Sequence, residues 1–220
     1  MPAFTPEQIL GAPHRLVIDI RPLDERIGEL GFLPGSLSIP MPSVERGLAQ
    51  LSDSKLVGEE PVLYCASGNR SGRMLAQIER EFGRPVHHLE GGMLGWQAAG
   101  LPTAYADPAV LDEHDLAVTE PLLFRRLLMS CFVAEATEVV PDDEELIVAS
   151  DPLTVLRRCF EVSGTDWDET DPSRLFAVVD HASAVFRRLG GPIERIAYNV
   201  SRMYAVLVRL GASGTVRPPR

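Results

Sequence analysis

The chain has 220 residues, 45% hydrophobic and 24% charged, which is ordinary globular composition with enough apolar content for a sizeable core. Its formal net charge of −10 opposes a polyanionic backbone, so nucleic acid is excluded as an expected partner. No apolar run approaches the ~20 residues of a membrane-spanning helix, and no membrane association is expected.

The opening "MPAFTPEQILGAPHR" has no basic segment followed by an apolar run, so no secretory signal is expected. From residue 15 to 101 short apolar runs alternate with helical stretches. "RLVIDI" (15–20), "SLSIP" (36–40), "PVLYC" (61–65) and "PVHHL" (85–89) read as buried strands, each bounded by Pro, Gly or polar residues. "SVERGLAQL" (43–51) and "SGRMLAQIEREF" (71–82) read as helices; in the second, Met74, Leu75, Ile78 and Phe82 share one face. Alternation of this kind predicts an α/β unit, a mostly parallel sheet flanked by helices, over residues 1–104.

Residues 105–120 are acidic and carry prolines, and are read as a linker. Beyond them, 121–211 has a 3.6-residue period and predicts an all-α helical bundle that folds separately. Helices are expected at about 121–137 and 152–162, the latter with Asp151 as N-cap and Pro152 at its first position. Two long apolar stripes follow, Leu175 to Leu189 and Ile193 to Leu210, separated by Gly190, Gly191 and Pro192. Residues 212–220 read as a frayed tail. The helical half could close on itself, cover the first half or form a homodimer.

The chemistry concentrates in "PVLYCASGNRSGRMLAQI". Cys65 ends a predicted strand and Ser71 or Gly72 begins a helix, which places the loop at the carboxyl edge of the sheet, where such sheets bind ligands. Gly68 permits a sharp turn, and Ala66, Ser67 and Asn69 leave room for the backbone to curl round the sulfur. Inward N–H groups and the positive end of the helix would form an anion nest that lowers the thiol's pKa. Arg70 either fastens the loop or adds a cation. A nucleophilic sulfur in such a cradle suits attack on phosphorus or on a sulfane sulfur. Only four residues separate Cys65 from Arg70, a small ring that favours sulfur over a tetrahedral phosphate.

Four segments in order complete a resemblance to the rhodanese-like, single-domain sulfurtransferases: "VIDIRPLDE" (17–25), "GFLPGSLSIP" (31–40), "CASGNRS" (65–71) and "LEGGMLGWQAAGLP" (89–102). The resemblance covers residues 1 to about 104; the helical half resembles no family. It implies that Cys65 carries the sulfur, that the backbone of Ala66, Ser67, Gly68, Asn69, Arg70 and Ser71 cradles it, and that no metal or organic cofactor is needed. At Phe32 the chain departs from the His that many members carry.

The implied activity is transfer of sulfane sulfur from a donor such as thiosulfate, through a Cys65 persulfide, to cyanide, a small thiol carrier or a protein acceptor. The alternatives are a sensor or docking module for the helical half, and a cysteine phosphatase or arsenate reductase. Asp19, Arg21 and Trp96 are expected to support the structure, the first two by fastening loops. His87 and His88 must point to opposite faces of their strand, and His181 has no partner at ligand spacing. Cys131 and Cys159, among apolar residues, are expected to pack as small hydrophobes. Three widely spaced cysteines form no disulfide framework, and a reduced, cytoplasmic setting is expected.

Overall fold

The computed structural model describes residues 3–44, 46, 60–82, 85–138 and 152–212. Strands β1 (Ala3–Phe4), β2 (Val17–Asp19), β3 (Leu37–Ser38), β4 (Val62–Tyr64) and β5 (His87–Leu89) form one parallel sheet in the order β1-β5-β4-β2-β3. Ile18 lies opposite both Leu37 and Leu63, and Leu63 lies opposite His88. The strands are apolar on both faces because helices cover both. Ile18, Leu37 and Leu63 face Leu75 and Ile78, while Val17, Val62 and Tyr64 face Met93 and Trp96.

Around the sheet lie α1 (Pro6–Leu10), α2 (Leu23–Arg26), α3 (Asn69–Phe82) and α4 (Gly92–Ala98). Helix α3 starts at Asn69, two residues before the expected Ser71. Gly68 adopts φ 82°, and the Gly72 N–H bonds to the Gly68 carbonyl at 2.9 Å, so the first helical turn closes directly on the glycine. Asn69 and Arg70 therefore belong to the helix and not to an open loop. The helix expected over 43–51 lies mostly outside the described residues, as do Asp151 and 213–220.

The second half contains α5 (Glu113–Leu116), α6 (Pro121–Glu138), α7 (Pro152–Val162), α8 (Pro172–Arg188) and α9 (Ile193–Ala212). The apolar stripes of α8 and α9 pack together with Phe124, Leu128 and Phe132 of α6 and with Leu156 and Phe160 of α7. Phe32 and Ala104, from the sheet-bearing half, are buried in that same cluster.

The stretch 105–120 is more than a tether. Asp112 caps α5, Asp115 is fully buried, and Arg202 of α9 holds Asp115 through bonds of 2.8 and 2.6 Å. Arg209 adds bonds to the Asp115 and Leu116 carbonyls. The acidity read as a linker signal here supplies a helix cap and a buried ion pair.

Helix α8 also closes the sheet. β3 is an edge strand whose outward Ser38 N–H would otherwise be unpaired, and Asp180 of α8 accepts it at 3.0 Å. Arg187, about two turns further along the same face of α8, reaches the Ile9 carbonyl at 2.6 Å.

Candidate active site

Cys65 follows the last residue of β4, the central strand, and is 1% exposed. Ala66, Ser67 and Gly68 form the bend, and Asn69, Arg70 and Ser71 form the first turn of α3. The first turn of a helix has N–H groups with no carbonyl partner inside the helix. Here they serve the sulfur. Burial pushes the Cys65 thiol up, but the Ser71 N–H and hydroxyl, the Ser67 N–H and the Arg70 N–H outweigh it, so its pKa is lowered. The buried Ser71 hydroxyl lies 3.7 Å from Sγ and 3.1 Å from the Gly68 carbonyl. Ser67 and Asn69 are exposed at the mouth.

The first turn of α4 packs on the bend. Met93 and Leu94 N–H groups donate to the Cys65 and Ala66 carbonyls, each at 2.9 Å. Gly92 makes this approach possible: a Cβ there would stand 2.3 Å from the Cys65 carbonyl oxygen and 2.6 Å from the Gly68 nitrogen. Trp96, fully buried, donates to the Pro102 carbonyl at 2.8 Å and anchors that segment.

Arg70 does not point freely at the mouth. Glu25 of α2 clasps its guanidinium with both carboxylate oxygens, one contact at 2.8 Å. That pairing holds the Glu25 carboxyl below its usual range and raises Arg70. The clasp by Glu25 fastens the loop, and the Arg70 guanidinium also interacts with the Cys65 sulfur, so both roles open to Arg70 in the sequence have a contact. Glu25 was not singled out there, although it closes the quoted "VIDIRPLDE".

Asp19 and Arg21 sit one layer beneath. Arg21 Nε and its terminal nitrogen bond Asp19 at 2.9 and 2.7 Å, and Arg21 also reaches the Gly31 carbonyl at 2.8 Å. Arg26 was missed altogether. It is fully buried, bonds Asp19, Ser36 and Tyr64 on one side, and meets Asp180 and Tyr204 of the helical half on the other. Its guanidinium also stacks over Phe32, 4.1 Å from the ring centre. That explains the departure at position 32: the ring faces Arg26 and Tyr204, not the sulfur.

The remaining candidates lie elsewhere. His87 faces Glu60 and Phe4, whereas His88 turns to the other face and packs beside Gly72 of α3. His181 bonds the Ala177 carbonyl at 2.8 Å. Cys131 and Cys159 are buried and in no disulfide, and burial pushes the Cys159 thiol up to about 12. No helix among the described residues is long and apolar enough to cross a membrane.

Residues 7–99 match the family model of the rhodanese-like domain. A sulfurtransferase of Allochromatium vinosum is 34% identical over 88 residues, 40% of this chain and 76% of that protein. An uncharacterized protein of Synechocystis is 33% identical over 124 residues, 54% of this chain and 64% of that protein. An HTH-type transcriptional regulator of Mycobacterium tuberculosis is 34% identical over 93 residues, covering 42% of this chain and 38% of the regulator.

Proposed function

The chain belongs to the rhodanese-like family, and we propose that it is a sulfurtransferase working through a persulfide on Cys65. The observation that carries this reading is a buried thiol that accepts from three backbone N–H groups, Ser67 in the bend and Arg70 and Ser71 at the head of α3, which lower its pKa. The Cys65 thiolate attacks the outer sulfur of a donor such as thiosulfate. The donor's S–S bond breaks, sulfite leaves with the bonding pair, and Cys65–S–S⁻ remains. A thiophile, cyanide or a thiolate, then attacks the terminal sulfur and leaves as thiocyanate or a new persulfide, restoring the thiolate. No net oxidant is consumed. The N–H groups that hold the thiolate can hold the terminal persulfide anion in the same way, which is the two-step covalent logic the cradle suits.

The small ring is the argument against phosphoryl transfer. Four residues separate Cys65 from Arg70, and the last of them, Asn69, already lies in α3 together with Arg70, whose guanidinium Glu25 clasps. Wild-type protein incubated with thiosulfate should gain the mass of one sulfur atom on Cys65, removable by dithiothreitol. Cys65→Ser should gain none while keeping its melting curve. Hydrolysis of an aryl phosphate above the Cys65→Ser background, with no persulfide formed, would reverse the assignment.

The shared segment with an HTH-type regulator favours a second reading, a module that is modified on Cys65 and signals. Turnover separates the two. A transferase releases thiocyanate repeatedly in the presence of thiosulfate and cyanide; a sensor loads once and stalls.

A further inference from the structure

Helix α2 is one turn long, and its last two residues point in opposite directions. Glu25 points outward to Arg70 at the head of α3. Arg26 points inward and makes six hydrogen bonds with no water-exposed surface. Two come from outside the sheet-bearing half: Asp180 Oδ1 at 2.8 Å and the Tyr204 hydroxyl at 3.0 Å. Tyr204 in turn donates to Asp180 at 2.6 Å, which fixes both acceptors for Arg26. The cluster balances in charge, with Arg21 and Arg26 against Asp19 and Asp180, and Asp19 bonds both arginines. Removing the Asp180 charge leaves two buried guanidinium groups competing for one carboxylate.

We infer that Asp180 and Tyr204 are positioning residues for the Cys65 loop: by holding Arg26 from the helical half, they orient α2 so that Glu25 clasps Arg70. This rests on the reading of that loop as the reactive site. The route is short and uses contacts only. Asp180 and Tyr204 hold Arg26, Glu25 is its chain neighbour, Glu25 holds Arg70, and the Arg70 and Ser71 N–H groups hold the sulfur. Through these contacts the helical half acts on the thiolate from a distance.

The test reads the thiolate directly in the full chain. Alkylation of Cys65 by iodoacetamide is followed by peptide mass spectrometry from acidic to alkaline pH. Arg70 and Glu25 are the charged groups facing the head of α3, so Glu25→Gln serves as the direct comparison. Tyr204→Phe removes one hydroxyl, and Asp180→Asn removes one charge at constant shape. Both should move the alkylation profile to higher pH and slow Cys65 labelling at neutral pH, by about threefold for the hydroxyl and about tenfold for the charge. Arg202→Gln breaks the Asp115 pair elsewhere in the helical half; it should lower the melting temperature and leave the profile where it is. A wild-type profile in a folded Tyr204→Phe or Asp180→Asn protein overturns the inference, and so does an equal shift in Arg202→Gln. If Asp180→Asn does not fold, Tyr204→Phe alone decides. Alkylation needs no sulfur donor, so a wild-type protein that loads no sulfur would sink the proposed activity without touching this result.

Discussion

Cys65 and Cys159 are both buried, yet their thiols are driven in opposite directions. At Cys159 nothing but its own backbone opposes desolvation, and the thiol is pushed up to about 12. At Cys65 burial acts the same way, but the Ser71, Ser67 and Arg70 donors reverse it. A lowered pKa means thiolate persists to lower pH, so near neutrality Cys65 carries far more anion than Cys159. Iodoacetamide at neutral pH should therefore modify Cys65 at least about tenfold faster than Cys159; equal labelling in mapped peptides would remove the basis for calling the cradle activating. Gly92 is the second decisive position. Its φ of 57° and the 2.3 Å approach to the Cys65 carbonyl leave no space for a methyl group. Gly92→Ala should cost about 1–3 kcal/mol in backbone strain and displace the bend, with sulfur loading falling about tenfold or more. Loading at the wild-type rate would show that the α4 segment does not shape the cradle. The glycine pair was visible in "LEGGMLGW", but the carbonyl it spares lies 27 residues earlier in the chain.

Among elements, the contact between β3 and α8 decides how the sheet is finished. Gly35 precedes β3 with φ 76°, and a Cβ there would meet the Arg187 side chain at 2.8 Å and the Ser183 carbonyl at 3.2 Å. Gly35→Ala must strain the turn or lift α8 from the strand, at a cost of about 2–4 kcal/mol. For a chain of this length that lowers the melting temperature by roughly 5–15 °C, with the Asp180–Ser38 bond loosened in step. An unchanged melt by differential scanning calorimetry would mean that α8 rides on the edge without being fitted to it. Much of this architecture was legible. The runs at 15–20, 36–40, 61–65 and 85–89 each contain a strand, because strands buried on both faces read as continuous apolar runs. The stripes of α8 and α9 were legible for the matching reason, an apolar face repeating at every turn. What α8 covers was not. Period records that a helix has a buried face, not which neighbour buries it. One signal was available: Asp180 stands inside the apolar stripe between Val179 and Ala182, and a carboxylate there needs a cation from elsewhere. Arg26 could not be matched to it, because nothing in "LDER" marks its arginine as buried and the partner lies 154 residues away.

At the scale of the whole molecule, the change of texture near residue 105 suggested two bodies that fold apart, and the packing argues for interdependence. Phe32 is buried among residues of the helical half, Arg26 draws two of its six bonds from it, and the β3 edge is sealed by it. Cutting after Tyr105 exposes all three. Losing the burial of Phe32 costs about 1.5–3 kcal/mol. Two bonds to a charged group add about 1.5–3 kcal/mol each, softened where water replaces the lost partners. Against a total stability of about 5–15 kcal/mol, that sum removes a large share of what holds a domain together. The bared edge strand would also offer its Ser38 N–H to another chain. A fragment ending at Tyr105 should therefore aggregate, or melt at least about 10 °C below the full chain and with lower cooperativity, as followed by circular dichroism and light scattering. A soluble fragment with a sharp melt near that of the full chain would show that the sheet-bearing half stands alone. The helices would then be an attachment, and Asp180 would have to act on a site that does not depend on it for folding.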